Sequence, residues 1–125
     1  MIKPITTNNA PSAIGPYSQA IEANGFIFCS GQIGLDPKTG NLADNIEIQT
    51  RQVLNNLKSV LTAAGSDLNS VVKTTIYLKN ISDFQAVNAI YTEYFSTHKP
   101  ARATVGVSDL PKGALIEIDT TAVKK

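Results

Sequence analysis

The sequence has one cysteine, one histidine, one methionine and no tryptophan. With Cys29 alone, no internal disulfide can form. His98 has no cysteine or histidine at ligand spacing, which argues against a metal site. Any Ser-His-Asp triad would need the same His98, which follows a helical pattern at a turn. Neither Gly-x-Gly-x-x-Gly nor a P-loop pattern occurs, so a nucleotide site has no motif support. The formal net charge is +1, which offers no electrostatic footprint for nucleic acid or an anionic membrane. No apolar run approaches the roughly 20 residues of a membrane span. The opening "MIKPITTNNAPS" lacks the apolar core of a signal peptide. A cytoplasmic location is the expectation.

What is present suits one globular domain, residues 1–125, with 42% hydrophobic and 17% charged residues. No repeat or low-complexity tract divides it. "YSQAIEANGFIFCSG" holds two strand-like runs around Asn24-Gly25, a dipeptide suited to a tight hairpin turn. "LDPKTGNL" reads as a loop. From Asp44 the period changes: Val53, Leu54, Leu57, Val60, Leu61 and Ala64 share a helical face, with Arg51, Asn55, Lys58 and Thr62 toward water. Asp44 with Glu47 resembles a capping box, and Gly65 is a natural stop. "VVKTTIYLK" reads as a strand with Val72, Thr74, Ile76 and Leu78 on one face. A second capping box, Ser82 to Gln85, opens a helix with the stripe Phe84, Val87, Ile90, Tyr91, Tyr94 and Phe95. Pro100 lies just past its end.

In "HKPARATVGVSDLPKGALIEI", Ala103, Val105 and Val107 alternate with Arg102, Thr104 and Gly106. Ile116, Ile118, Thr120 and Ala122 alternate with Glu117, Asp119 and Thr121. If the apolar faces meet the helices, Arg102 and Glu117 both lie on the sheet face turned away from them. The predicted class is α+β: a mixed sheet with two helices on one face. The uncovered face mixes polar with small apolar residues, and packing against further copies of the chain would cover it.

Arg102 carries a planar fork that matches a carboxylate with two hydrogen bonds. Its alternative reading is a structural ion pair or a surface arginine. Glu117 could orient or deprotonate a water, or serve as an ordinary outward strand residue paired with Arg102. Gly31 can present a backbone N–H and Ser30 a hydroxyl, although both also suit a plain strand end. Asn88 shares a helix side with Phe84 and could reach a ligand or cap a loop. Cys29 reads as a small buried hydrophobe.

"PARATVGVSDLPKGALIEI" resembles the signature of the RidA (YjgF) family of reactive-intermediate deaminases. Its fixed elements are Pro100, Ala101, Arg102, Ala103, Val105, Leu110, Ile116, Glu117 and Ile118. "AIGPYSQA", "SGQIG", "VVKTTIYL" and "DFQAVNAIYTEYF" are similar in the same order, so the resemblance runs from about Ile5 to Val123. It implies a chorismate-mutase-like fold and a homotrimer with active sites between subunits. It implies hydrolysis of 2-enamine and 2-imine acids, such as 2-aminoacrylate and 2-aminocrotonate, to 2-keto acids and ammonia. It implies that no cofactor is needed and a link to pyridoxal-phosphate enzymes that release such intermediates. By the resemblance, Arg102 binds the substrate carboxylate with help from Gly31 N–H, and Glu117 activates the water. The Thr104 carbonyl accepts from the imine nitrogen, and Tyr17, Ser30, Phe84 and Asn88 line the cleft. Many members carry cysteine at the position of Thr104, so this chain lacks a thiol at that site. The alternatives are a binding module for 2-keto acids and a ribonuclease or translation inhibitor. The near-neutral charge and single histidine argue against the second. A chorismate mutase would rest on fold likeness alone.

Overall fold

The computed structural model describes residues 1–125. The elements run β1 (Ile2–Ile5), β2 (Ala20–Ala23), β3 (Phe26–Ile33), α1 (Ile46–Ala63), β4 (Val71–Leu78), α2 (Phe84–Tyr94), β5 (Ala101–Gly106) and β6 (Ile116–Val123). One six-stranded sheet has the order β1-β2-β3-β6-β4-β5. All neighbours are antiparallel except β4 and β5, which are parallel and joined through α2. The mixed α+β architecture anticipated from the periodicities is present.

Asn24 and Gly25 have φ of 52° and 79°, so both occupy the left-handed region that a two-residue hairpin turn requires. β1 was not anticipated. It contains Pro4, which a central strand would reject but this edge position tolerates.

α1 buries Val53, Leu54, Leu57, Val60 and Leu61 completely against the sheet. Each side chain contributes about 2 kcal/mol of apolar burial. The helix ends at Gly65, whose φ of 77° satisfies the left-handed stop. Its cap differs from the expected Asp44–Glu47 box. Asn45 is the N-cap, and its Oδ1 accepts from Ile48 N–H at 2.9 Å. The second box does not form either. A single 3-10 turn at Ile81–Asp83 leads into α2, and Asp83 at its N-cap makes no side-chain cap bond. Arg51 faces solvent yet joins the helices through two bonds to Glu93, at 2.9 and 3.0 Å.

The face turned toward the helices carries Ile27, Ile76, Leu78, Ile116, Ile118 and Ala122, all fully buried. Val72 was expected among them and is exposed instead. A register shift between Val71 and Lys73 inserts one residue there, so Val71 takes the core position. The opposite face has no covering layer within the chain. Phe26, Phe28 and Val105 are 41, 47 and 42% exposed on it. No helix is long and apolar enough to cross a membrane.

Candidate functional site

Arg102 is placed by the register of β5. It stands opposite Thr74 of β4, and Thr104 stands opposite Ile76. Directly paired residues project to the same side of a sheet. Thr74 and Ile76 are fully buried on the helix side, so Arg102 and Thr104 face α2. The strand alternates as anticipated, but its faces are exchanged. Parity placed Arg102 on the side away from the helices by assuming that apolar residues meet the core. β5 is an edge strand whose apolar residues Ala101, Ala103 and Val105 turn to the uncovered face, where all three are exposed.

The guanidinium is held tightly on that side. Its Nη1 donates to Asn88 Oδ1 at 2.7 Å. Its central carbon lies 5.3 Å from the Phe84 ring centroid and 4.9 Å from that of Tyr91. These are cation–π distances, and they fix the plane of the fork. The Tyr91 hydroxyl is hydrogen-bonded to Thr74 Oγ1 at 2.8 Å. Burial pushes the Tyr91 phenol up, while the Thr74 hydrogen bond and the Arg102 charge act the other way. The four ion pairs of the chain all lie elsewhere, so Arg102 is free to take an anion.

Glu117 lies on the other face. It pairs with Tyr77 of β4 and Ile33 of β3, while its neighbour Ile118 points into the core. The register of β3 shifts between Cys29 and Gln32, so Ser30 and Gly31 form a bulge beside it. A Cβ on Gly31 would stand 2.8 Å from Glu117 Cδ, so only glycine lets this backbone close over the carboxylate. Burial raises the Glu117 carboxyl above its ordinary value, and the Asp119 charge adds to that.

Glu117, Tyr17, Ser30, Gly31 and Lys112 line a cavity of about 490 Å³. Ser30 Oγ donates to the Ser18 carbonyl at 2.6 Å, which leaves its lone pairs for a ligand. Arg102 and Asn88 line a different cavity of about 420 Å³, with Tyr91 and Lys99. The two cavities share no residue. Within one chain the structure therefore gathers Arg102, Phe84 and Asn88 in one group, and Tyr17, Ser30, Gly31 and Glu117 in another. Thr104 sits on β5 near the first group but lines neither cavity. Its Oγ1 is buried without a hydrogen-bond partner.

Buried amides that the sequence reading passed over hold these groups in place. Gln19 accepts from Thr7 N–H at 2.7 Å and donates to the Pro11 carbonyl at 2.7 Å, which ties down the segment before Tyr17. Gln49 accepts from Leu115 N–H at 2.8 Å, just ahead of Glu117. Asn56 donates to the Leu35 carbonyl at 3.0 Å, just beyond Gly31. Gln49 and Asn56 fall on the α1 stripe with Val53 and Val60, and amides at such core positions were the available signal. Lys112 was also missed. It holds φ of 57° in the turn before β6 and is the one cation on the Glu117 cavity.

Two other reactive side chains are committed elsewhere. His98 Nε2 donates to the Val71 carbonyl at 2.5 Å. Burial pushes the Cys29 thiol up to about 11, so it is not a thiolate nucleophile.

Comparison with known proteins identifies relatives of similar length and fold. Residues 7–124 match the family model described as Endoribonuclease L-PSP. A RutC family protein of Pyrococcus horikoshii is 56% identical over 122 residues, 97% of each chain. The 2-iminobutanoate/2-iminopropanoate deaminase of Salmonella typhimurium is 45% identical across the full length of both. The crystal structure of the YjgF gene product from E. coli superposes with a TM-score of 0.94 at 44% identity, covering 98% of this chain and 99% of that one. By sequence and by fold, the chain belongs to the RidA (YjgF) family.

Proposed function

We propose that the protein hydrolyses 2-imine and 2-enamine acids, such as 2-aminoacrylate and 2-aminocrotonate, to 2-keto acids and ammonia. In this reading it works as a homotrimer, with each site formed between two copies. The observation that carries the proposal is the division of the site. A rigid, unpaired arginine and a half-buried carboxylate occupy separate cavities on opposite faces of one chain. Exposed apolar residues on the face bearing Glu117 favour a second copy there. The name of the Salmonella relative supports the same chemistry.

Arg102 of one copy would grip the substrate carboxylate, assisted by Gly31 N–H of the next, while the Thr104 carbonyl takes a hydrogen bond from the imine nitrogen. Tyr17, Ser30, Phe84 and Asn88 would shape the cleft. A water oxygen bonds to the carbon of the protonated imine as the C=N electron pair moves to nitrogen. Glu117 takes the proton that this water loses. It then gives the proton to the amino nitrogen of the carbinolamine, the C–N bond breaks as an oxygen electron pair forms the C=O bond, and the departing ammonia takes the carbinol hydroxyl proton. One water is consumed, and one keto acid and one ammonium ion leave. An iminium carbon is already electrophilic, so holding the anion and the water in place is the main requirement. Neither metal nor cofactor is required for these steps. The substrates would come from pyridoxal-phosphate enzymes that eliminate water from serine or threonine.

The test is keto-acid release in the presence of a threonine or serine dehydratase. Wild type should speed release, Arg102→Ala should abolish that gain, and Arg102→Lys should recover little of it. An unchanged gain with Arg102→Ala contradicts the proposal. The endoribonuclease description of the family model supports a second reading. RNA cleavage that survives repeated purification and is lost in Arg102→Ala would establish it.

A further inference from the structure

Asp119 follows Glu117 by two residues on β6, so both project to the uncovered face of the sheet. On the adjoining strand Tyr77 stands directly opposite Glu117, and Thr75 opposite Asp119. The Tyr77 hydroxyl does not turn to Glu117. It reaches diagonally and donates to Asp119 Oδ2 at 3.0 Å. Glu117, Asp119 and Tyr77 are all half-buried, so the two carboxylates are only partly screened from each other. A hydrogen bond from a phenol holds the Asp119 carboxylate in one rotamer. That leaves a fixed negative charge along the sheet from Glu117.

We propose that Asp119, anchored by Tyr77, is a positioning residue that makes Glu117 a stronger base. The inference rests on the imine hydrolysis proposed above. A carboxylate of ordinary basicity is a weak acceptor for a proton from water. One whose ionised form is opposed by a neighbouring charge accepts it more readily, and base strength nearer the working pH raises the rate. The proton path is the one given above: Glu117 takes it from the attacking water and returns it to the leaving nitrogen. Asp119 takes no part in that transfer. The Glu117 carboxyl is displaced upward, by burial first and by the Asp119 charge second, which agrees with this geometry.

Other groups facing Glu117 are Tyr17 from the loop before β2 and Lys112 from the turn before β6. β3 contributes Gly31 and Ile33, which carry no charge. Within the chain Lys112 is the one cation on this cavity, and it makes no ion pair with Glu117; in the assembled site Arg102 of the next copy would join it, equally in wild type and in the Asp119 variants.

The experiment measures kcat/KM for keto-acid release against pH in wild type, Glu117→Gln, Asp119→Asn and Asp119→Glu. Asp119→Asn keeps an acceptor for Tyr77 and removes only the charge. Wild type should lose activity on an acidic limb that Glu117→Gln abolishes along with most of the rate. Asp119→Asn should move that limb to lower pH and lower the plateau several-fold, and Asp119→Glu should restore both. A lowered plateau with an unmoved limb means that Asp119 is merely structural, and overturns the inference. If wild type shows no deaminase activity at all, the hydrolysis reading falls first and takes this inference with it.

Discussion

Arg102 and Glu117 lie on opposite faces of one sheet. Arg102 is paired with the buried Thr74, and Glu117 with the half-buried Tyr77. The two charges therefore do not neutralise each other within a chain. Neither has an ion-pair partner inside the chain.

Asn88 supplies the one side-chain hydrogen bond to Arg102. Asn88→Ala should leave the guanidinium stacked on Phe84 and Tyr91 but less firmly aimed. The expected result is a rise in KM of about tenfold with little change in kcat, since one hydrogen bond to a charged group is lost. Steady-state kinetics on 2-aminocrotonate checks it.

Gly31→Ala puts a methyl group against the Glu117 carboxyl. The carboxyl is the far end of a flexible side chain, so it can swing away and the fold should survive. Catalysis should not, because the base leaves its place: kcat/KM should fall roughly tenfold or more. Thermal unfolding close to wild type, measured on the same sample, separates this from misfolding.

Thr104 carries a buried hydroxyl without a partner. Thr104→Val keeps the shape and removes the unsatisfied oxygen. Stability should rise by about 1 kcal/mol. If only the backbone carbonyl serves the substrate, activity should persist. Denaturant unfolding and the coupled assay read the two effects separately.

Glu117 should cost stability where it is charged. Its folded-state value is raised by burial and by Asp119, so the unfolded chain ionises it more easily. Its contribution is fully present below the unfolded value, about pH 4, and is lost as pH rises through the folded one. Glu117→Gln stays neutral throughout. Its melting temperature should match wild type at low pH and exceed it at neutral pH, and a constant offset across pH would contradict this.

Much of this was legible in the residues. Val53, Leu54, Leu57, Val60 and Leu61 announced α1 by period, and Asn24-Gly25 announced its turn by backbone preference. The face of β5 was not legible. Alternation shows which residues share a side, but which side meets the helices depends on whether another layer exists. At this edge strand, Ala103 and Val105 face outward, and an arginine packs its plane onto Phe84 and Tyr91. Val72 misled for a related reason: a bulge shifts parity by one, and no residue there signals it. The capping boxes at Asp44 and Ser82 had the right spacing, but neither Asp44 nor Ser82 became the N-cap. The site residues were named through the family signature. Their separation into two cavities is a property of the register alone.

The most direct measurement mixes two inactive chains. Arg102→Ala and Glu117→Ala subunits, expressed together in equal amounts, should assemble into trimers at random. Every mixed trimer then holds one site with an intact arginine from one copy and an intact glutamate from its neighbour. Averaged over all trimers, the preparation should recover about one quarter of wild-type activity, although each variant alone has almost none. Recovery near that level would support a site shared between copies. A mixture as inactive as its components, with light scattering showing that the chains had co-assembled, would contradict it.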